Sequence, residues 1–116
     1  MLDDFGTLSV RTYTASDALP VPGAAVRIFG AEEGNRFSVH SLITDNNGVT
    51  PTVTLPAPNR RYSLAPNPEE TPYAIYDIEV NADGYIPKLL RSVPIFAGVY
   101  SLQPVNLVPT ASSAQY

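Results

Sequence analysis

The 116 residues suffice for one domain, and a composition of 44% apolar residues with 12 prolines and 7 glycines is that of a globular chain with many turns and few long helices. The net charge is −4 and the seven cationic residues are scattered, only Arg60 and Arg61 adjoining, which excludes a basic stripe for nucleic acid and disfavours an anionic membrane surface. Without cysteine there are no disulfides and no thiolate metal ligands; no apolar run approaches the ~20 residues of a membrane span, and Asp3 and Asp4 stand where a secretory signal carries Lys or Arg.

In chain order, Leu8 and Val10 alternate with Thr7, Ser9 and Arg11, which predicts a first strand from Gly6 to Thr14. The run from Ala15 to Gly23, with two prolines, reads as a loop. Ala24, Val26 and Ile28 alternate with Ala25, Arg27 and Phe29 in a second strand that ends near Gly30, and residues Glu32 to Asn35 make a polar turn. In the third run, Phe37 to Thr44, the parity of Phe37, Val39 and Ile43 is expected to face inward, with His40 and Leu42 on the other side. Asp45-Asn46-Asn47-Gly48 then has the residues of a hairpin turn, because Asn and Gly tolerate positive φ and Asp bonds nearby backbone amides. It leads into a fourth strand, Val49 to Leu55, with Val53 and Leu55 inward and a stop at Pro56 and Pro58.

From Ala57 to Pro72 the chain reads as a long irregular connection with a short strand around Tyr62 and Leu64. The clearest strand follows: Tyr76, Ile78, Val80 and Ala82 on one face, Asp77, Glu79, Asn81 and Asp83 on the other, one face buried and one wet. Gly84 provides a turn, Tyr85 to Val93 a further extended segment, and Leu102 to Val108 a last strand with Val105 and Leu107 inward. Seven or eight short strands without a helical apolar period predict two packed antiparallel sheets in a single domain over residues 1–109, with residues 110–116 as a flexible C-terminal tail. A partly closed barrel is the alternative.

Gly23-Ala24-Ala25-Val26, Thr44-Asp45-Asn46-Asn47-Gly48 and Val80-Asn81-Ala82-Asp83-Gly84-Tyr85 resemble, in order and spacing, the prealbumin-like (transthyretin-like) domains called carboxypeptidase regulatory-like, over Gly6 to about Pro109. The resemblance implies an all-β, seven-stranded antiparallel Greek-key sandwich. A narrower set, Thr50-Pro51, Leu55-Pro56-Ala57-Pro58, Tyr73-Ala74-Ile75-Tyr76-Asp77, Val93-Pro94-Ile95-Phe96 and Leu102-Gln103-Pro104-Val105, is similar to the N-terminal domain of clostridial spore cortex-lytic enzymes. That likeness implies a non-catalytic accessory role in a spore or cell-envelope setting, with peptidoglycan or another envelope protein as partner.

The candidate sites are few. The single histidine, His40, leaves Ser-His, Cys-His and multi-histidine metal constellations without their parts, and it argues against the hydrolase branch of the transthyretin-like proteins. Asp77 and Glu79 share a strand face, but a working acid pair needs one carboxyl shifted by burial or by its partner, which a wet face does not provide. The Asp45 to Gly48 turn lacks the alternating acids of a calcium loop. The sole lysine, Lys88, lies too late in the chain for the Lys–Asn cross-link that adhesin relatives form from their first strand, so Asn106 is expected to stay unlinked. Tyrosine is the remaining signal: Tyr62, Tyr73 and Tyr100 form a candidate binding patch around the proline-rich connection, since their flat amphipathic rings stack on sugars or line peptide grooves. The expectation is therefore a binding module without catalytic residues, metal or cofactor. A chain that opens at Met1 and is short enough to act alone suggests the alternative, a self-assembling subunit such as a homo-oligomer or phage-like structural protein.

Overall fold

The computed structural model describes residues 4–14, 19–32, 35–58 and 73–110. Within them eight strands run in the order β1 (Asp4–Thr14), β2 (Leu19–Pro20), β3 (Ala25–Glu32), β4 (Asn35–Ile43), β5 (Val53–Ala57), β6 (Ala74–Asn81), β7 (Lys88–Ile95) and β8 (Tyr100–Asn106). They form two four-stranded sheets. In the first, β1 is central, with β2 and β5 against one side and β8 against the other; the second has the order β4-β3-β6-β7. All pairings are antiparallel except that of β1 with β8, which is parallel from Thr7↔Tyr100 to Tyr13↔Asn106.

The core lies where alternate side chains of the two sheets meet. Leu8 and Val10 of β1, Val26 and Ile28 of β3, Leu55 of β5 and Ile78 and Val80 of β6 are completely buried, joined by Ile95, Val105 and Leu107. This is the in-and-out pattern expected of strands with one wet face, and it places the buried set predicted for β1, β3, β6 and β8. One end of the core is polar. The Thr12 hydroxyl reaches Val21 O at 2.7 Å and Gly48 O at 3.2 Å, Thr44 Oγ1 donates to Val21 O and accepts from Ala24 N, and Thr50 Oγ1 accepts from Val10 N. These buried hydroxyls satisfy backbone groups that the sheet ladders leave over, which is what allows the β2–β3 loop to fold inward onto Val21.

Four details depart from the sequence reading. In β4 the register shifts so that Ile28 faces His40 and Phe29 faces Ser38, leaving Val39 as the extra residue of a bulge. The bulge breaks the parity: Val39 and Leu42 both pack against the core, whereas Ile43, expected inside, is 60% exposed. The side chain of Phe37 lies outside the described ones.

The Asp45–Gly48 segment is a turn, with Asp45 Oδ1 accepting from Asn47 N and Val49 N and Gly48 at φ 78°, but it joins strands of different sheets and closes no hairpin. Gly48 is needed there on two counts: its φ is left-handed, and a Cβ would run into the carbonyl of Thr12. Pro56 does not end β5 but sits within it, opposite Phe5, which an edge strand tolerates because the missing N–H faces away from the ladder. The loop expected over Ala15 to Gly23 contains the short strand β2, paired at Tyr13↔Pro20 and Thr14↔Leu19. The strand expected around Tyr62 and Leu64, the turn centre at residues 33–34 and the tail beyond Thr110 lie outside the described residues.

Candidate interaction face

The inward parity of β1 turns Phe5, Thr7, Ser9, Arg11 and Tyr13 to the outside of the first sheet, and the parallel register sets Tyr100, Leu102, Pro104 and Asn106 beside the last four of them. On the other flank Pro56 stands opposite Phe5 and Thr54 opposite Thr7. The result is a continuous outer surface rich in apolar and aromatic side chains: Phe5 is 53%, Tyr100 56% and Leu102 47% exposed. Tyr100 does not wave freely. Its hydroxyl bonds the Ser9 hydroxyl, which is itself buried, so the ring lies along β1 with a face toward solvent. At the far end the Arg11 guanidinium sits 4.9 Å from the Tyr13 ring centroid, a cation held over an aromatic plane. Among the described residues of this surface, Arg11 carries the only charge.

The outer surface of the second sheet also exposes apolar side chains, Ile43, Ile75 and Leu89, but it mixes them with charge. Arg27 and Glu79 face each other across β3 and β6 at 4.0 Å, Arg27 also lies over the Phe29 ring, and Asp77 Oδ1 accepts the Ser92 amide. That amide belongs to a bulge in β7, where Ser92 takes φ 60° and the register slips between Tyr76 and Ile78. Asp77 and Glu79 are therefore engaged in holding a strand edge and a cross-strand ion pair. His40 Nε2 lies 3.3 Å from Thr54 O, linking the β4 edge of one sheet to the β5 edge of the other. Lys88 is on β7 of the second sheet, while Asn106 is exposed on β8 of the first.

The predicted tyrosines divide. Tyr100 is central to the apolar face. Tyr73 is half-buried, its ring tilted at 56° against Phe96 with centroids 5.4 Å apart, next to the turn from which Tyr100 departs. Tyr62 lies outside the described residues. Phe5, Leu102 and the Arg11–Tyr13 pair were missed, although the inward assignment of Val105 and Leu107 already implies that Leu102 points outward. At the opposite end of the sandwich a shallow polar groove of about 350 Å³ opens between the β2–β3 and β6–β7 turns, lined by Gly23, Asn81, Asp83, Tyr85 and Pro87. Among the described residues no group of three or more His, Cys, Asp or Glu side chains is placed to hold a metal ion.

No protein-family model matches the chain, and no curated protein matches it in sequence. Among solved structures, transthyretin from Sparus aurata superposes with a TM-score of 0.56 at 13% identity, over 88% of this chain and 88% of that one. The fold is prealbumin-like. The prealbumin-like sandwich recurs as part of longer chains: this chain matches the Bacillus anthracis TIE protein (TM-score 0.55, 14% identity) over 90% of its own length but only 16% of that protein's. Catechol 1,2-dioxygenase from Acinetobacter sp. ADP1 matches with a TM-score of 0.58 at 15% identity, covering 95% of this chain and 54% of that one. At such identities the likeness concerns the fold alone, and a prealbumin-like fold hosts unrelated activities.

Proposed function

We propose that this chain is a non-catalytic interaction module of a bacterial cell-envelope or spore-associated protein, accessory to peptidoglycan hydrolysis, and that its contact surface is the outer face of β5, β1 and β8. The observation that carries the reading is a difference in charge and aromatic content: both outer faces expose aliphatic side chains, but the second carries the Arg27–Glu79 pair and Asp77, whereas the first presents Phe5, Tyr100 and the stacked Arg11–Tyr13 pair with Arg11 as the one charge among its described residues. Exposed aromatic side chains on a rigid sheet supply large contact area at small entropic cost, which suits a sugar or peptide polymer. The groups that would nominate themselves for catalysis are already occupied structurally, His40 against Thr54 O, Asp77 on the β7 bulge and Glu79 beside Arg27. The resemblance to the accessory domain of spore cortex-lytic enzymes supplies the setting.

Co-sedimentation with purified peptidoglycan and with spore cortex tests the proposal. The wild-type chain is expected to bind, and Phe5→Ala and Tyr100→Ala each to weaken binding by about 5- to 30-fold, the effect of losing one anchor worth about 1–2 kcal/mol. Tyr62→Ala and Tyr73→Ala, made in parallel, separate this face from the proline-rich connection. No retention on any wall preparation, or retention indifferent to Phe5 and Tyr100, refutes it. A second reading, a self-assembling structural subunit, is favoured by the same exposed apolar face, which a second copy could cover. A concentration-dependent mass that Phe5→Ala abolishes, without wall binding, would select it.

A further inference from the structure

A two-sheet sandwich ends in strand edges whose N–H and C=O groups invite another strand; among the described residues β8 pairs only with β1, and the side chains beside its outer edge, Tyr100 and Leu102, are apolar and exposed. The hydrogen bonds show which of its backbone groups point outward. Thr7 N donates to Val99 O and Leu107 N to Tyr13 O, and the register between them is continuous. Groups alternate side along a strand, so residues 99, 101, 103, 105 and 107 turn toward β1, and Tyr100, Leu102, Pro104 and Asn106 turn away. Pro104 thus falls at an outward position, where it has no N–H to offer. Its carbonyl is also taken, by the side-chain amide of its neighbour, since Gln103 Nε2 donates to Pro104 O at 3.0 Å.

The other edges carry comparable obstructions. On β5, Pro56 lacks a donor, its carbonyl accepts the Tyr76 hydroxyl at 2.6 Å, and Thr54 O accepts from His40. The edge strands of the second sheet, β4 and β7, are each interrupted by a bulge, and in β7 the Ser92 amide is turned onto Asp77. A bulge bends the strand and removes the regular spacing that a partner needs.

We infer that Gln103 and Pro104 form a gate that keeps β8 from pairing antiparallel with β8 of a second copy of this chain. The occupant excluded is specific: the same edge rotated by a two-fold axis at Gln103, the register that pairs the whole strand, would set Leu102 of each copy opposite Pro104 of the other and Tyr100 opposite Asn106, a strip blocked in its middle by the missing N–H and the occupied carbonyl of Pro104. The inference is independent of wall binding, which uses the face and not the edge.

Light scattering and backbone amide exchange on the wild-type chain and on Pro104→Thr combined with Gln103→Val test it, with Pro104→Ala as a milder variant should the double substitution fold poorly. The wild type is expected to retain the 12.5 kDa mass of a monomer with fast exchange at the amides of Tyr100, Leu102 and Asn106. Either variant, with its β-sheet circular dichroism intact, is expected to associate at least tenfold more strongly, doubling its mass and slowing exchange at positions 100 and 102. Two results overturn the gate: a folded Pro104→Ala that stays as monomeric as wild type, or a wild type already dimeric with those amides protected. A wild-type dimer whose β8 amides still exchange fast, and whose mass falls with Phe5→Ala, leaves the gate standing and assigns association to the face.

Discussion

Ile78→Ala tests the sandwich at its centre. Ile78 lies on β6 between Ile28 of β3 and Leu90 of β7, and its side chain is fully buried between the sheets. The substitution removes three carbon groups, a transfer loss of roughly 2.4 kcal/mol at about 0.8 kcal/mol each, and the surrounding β3 and β7 side chains can only partly collapse into the space. The expected cost is about 3–4 kcal/mol. With a urea m-value of roughly 1–1.5 kcal/mol/M for a chain of this size, the unfolding midpoint should fall by about 2–4 M with m unchanged. Glu79→Ala is the matched control one position along, on the opposite face, where a partly exposed pair at 4.0 Å from Arg27 is worth no more than about 0.5 kcal/mol. A loss below about 1 kcal/mol at Ile78, or equal losses at the two positions, would refute the inward assignment of β6 and with it the two-sheet core.

Three further expectations probe the details. Gly6→Ala should lower the melting temperature by roughly 5–15 °C, because its Cβ would lie 2.7 Å from Ile95 Cγ2 and against the Phe96 carbonyl, where the β7–β8 corner presses onto β1; an unchanged melting temperature would mean that this corner is loose. Thr12→Val keeps shape and removes one buried hydroxyl bond, while Val21 O keeps the Thr44 hydroxyl and Gly48 O keeps the Thr12 amide, so urea denaturation should show a loss of about 0.5–1.5 kcal/mol, and a neutral result would show that the Thr12 hydroxyl adds nothing to the polar end. Asp77→Ala removes the acceptor of the Ser92 amide and should cost about 1 kcal/mol, with faster exchange of that amide; an unaffected Ser92 amide would remove Asp77 from the β7 bulge.

Legibility varied with how local the cause was. Alternation over Leu8–Val10, Val26–Ile28 and Tyr76–Ile78–Val80 was read directly because a strand with one wet face writes its burial into every second residue. The β4 parity was misassigned because a bulge at Val39 costs one residue of register, and no residue type there announces it. The Asp45–Gly48 turn was recognised by its residues, yet the same turn chemistry serves a hairpin and a crossing between sheets. Tyr100 was singled out as an exposed aromatic, whereas Phe5 and Arg11, some ninety residues away in the chain, join it only through the parallel β1–β8 register.

Residue order alone carries the class: extended segments, their punctuation, the buried face of most of them, and a single histidine that limits the available chemistry. Which strands are neighbours, that β8 runs parallel to β1, and so which side chains share the outer surface and which backbone groups point away from the ladder, are visible only in the folded chain. The physical reason is that periodicity within a strand is set by local backbone geometry, while pairing between strands is set by the packing of the whole chain, a long-range choice that no short window of residues records.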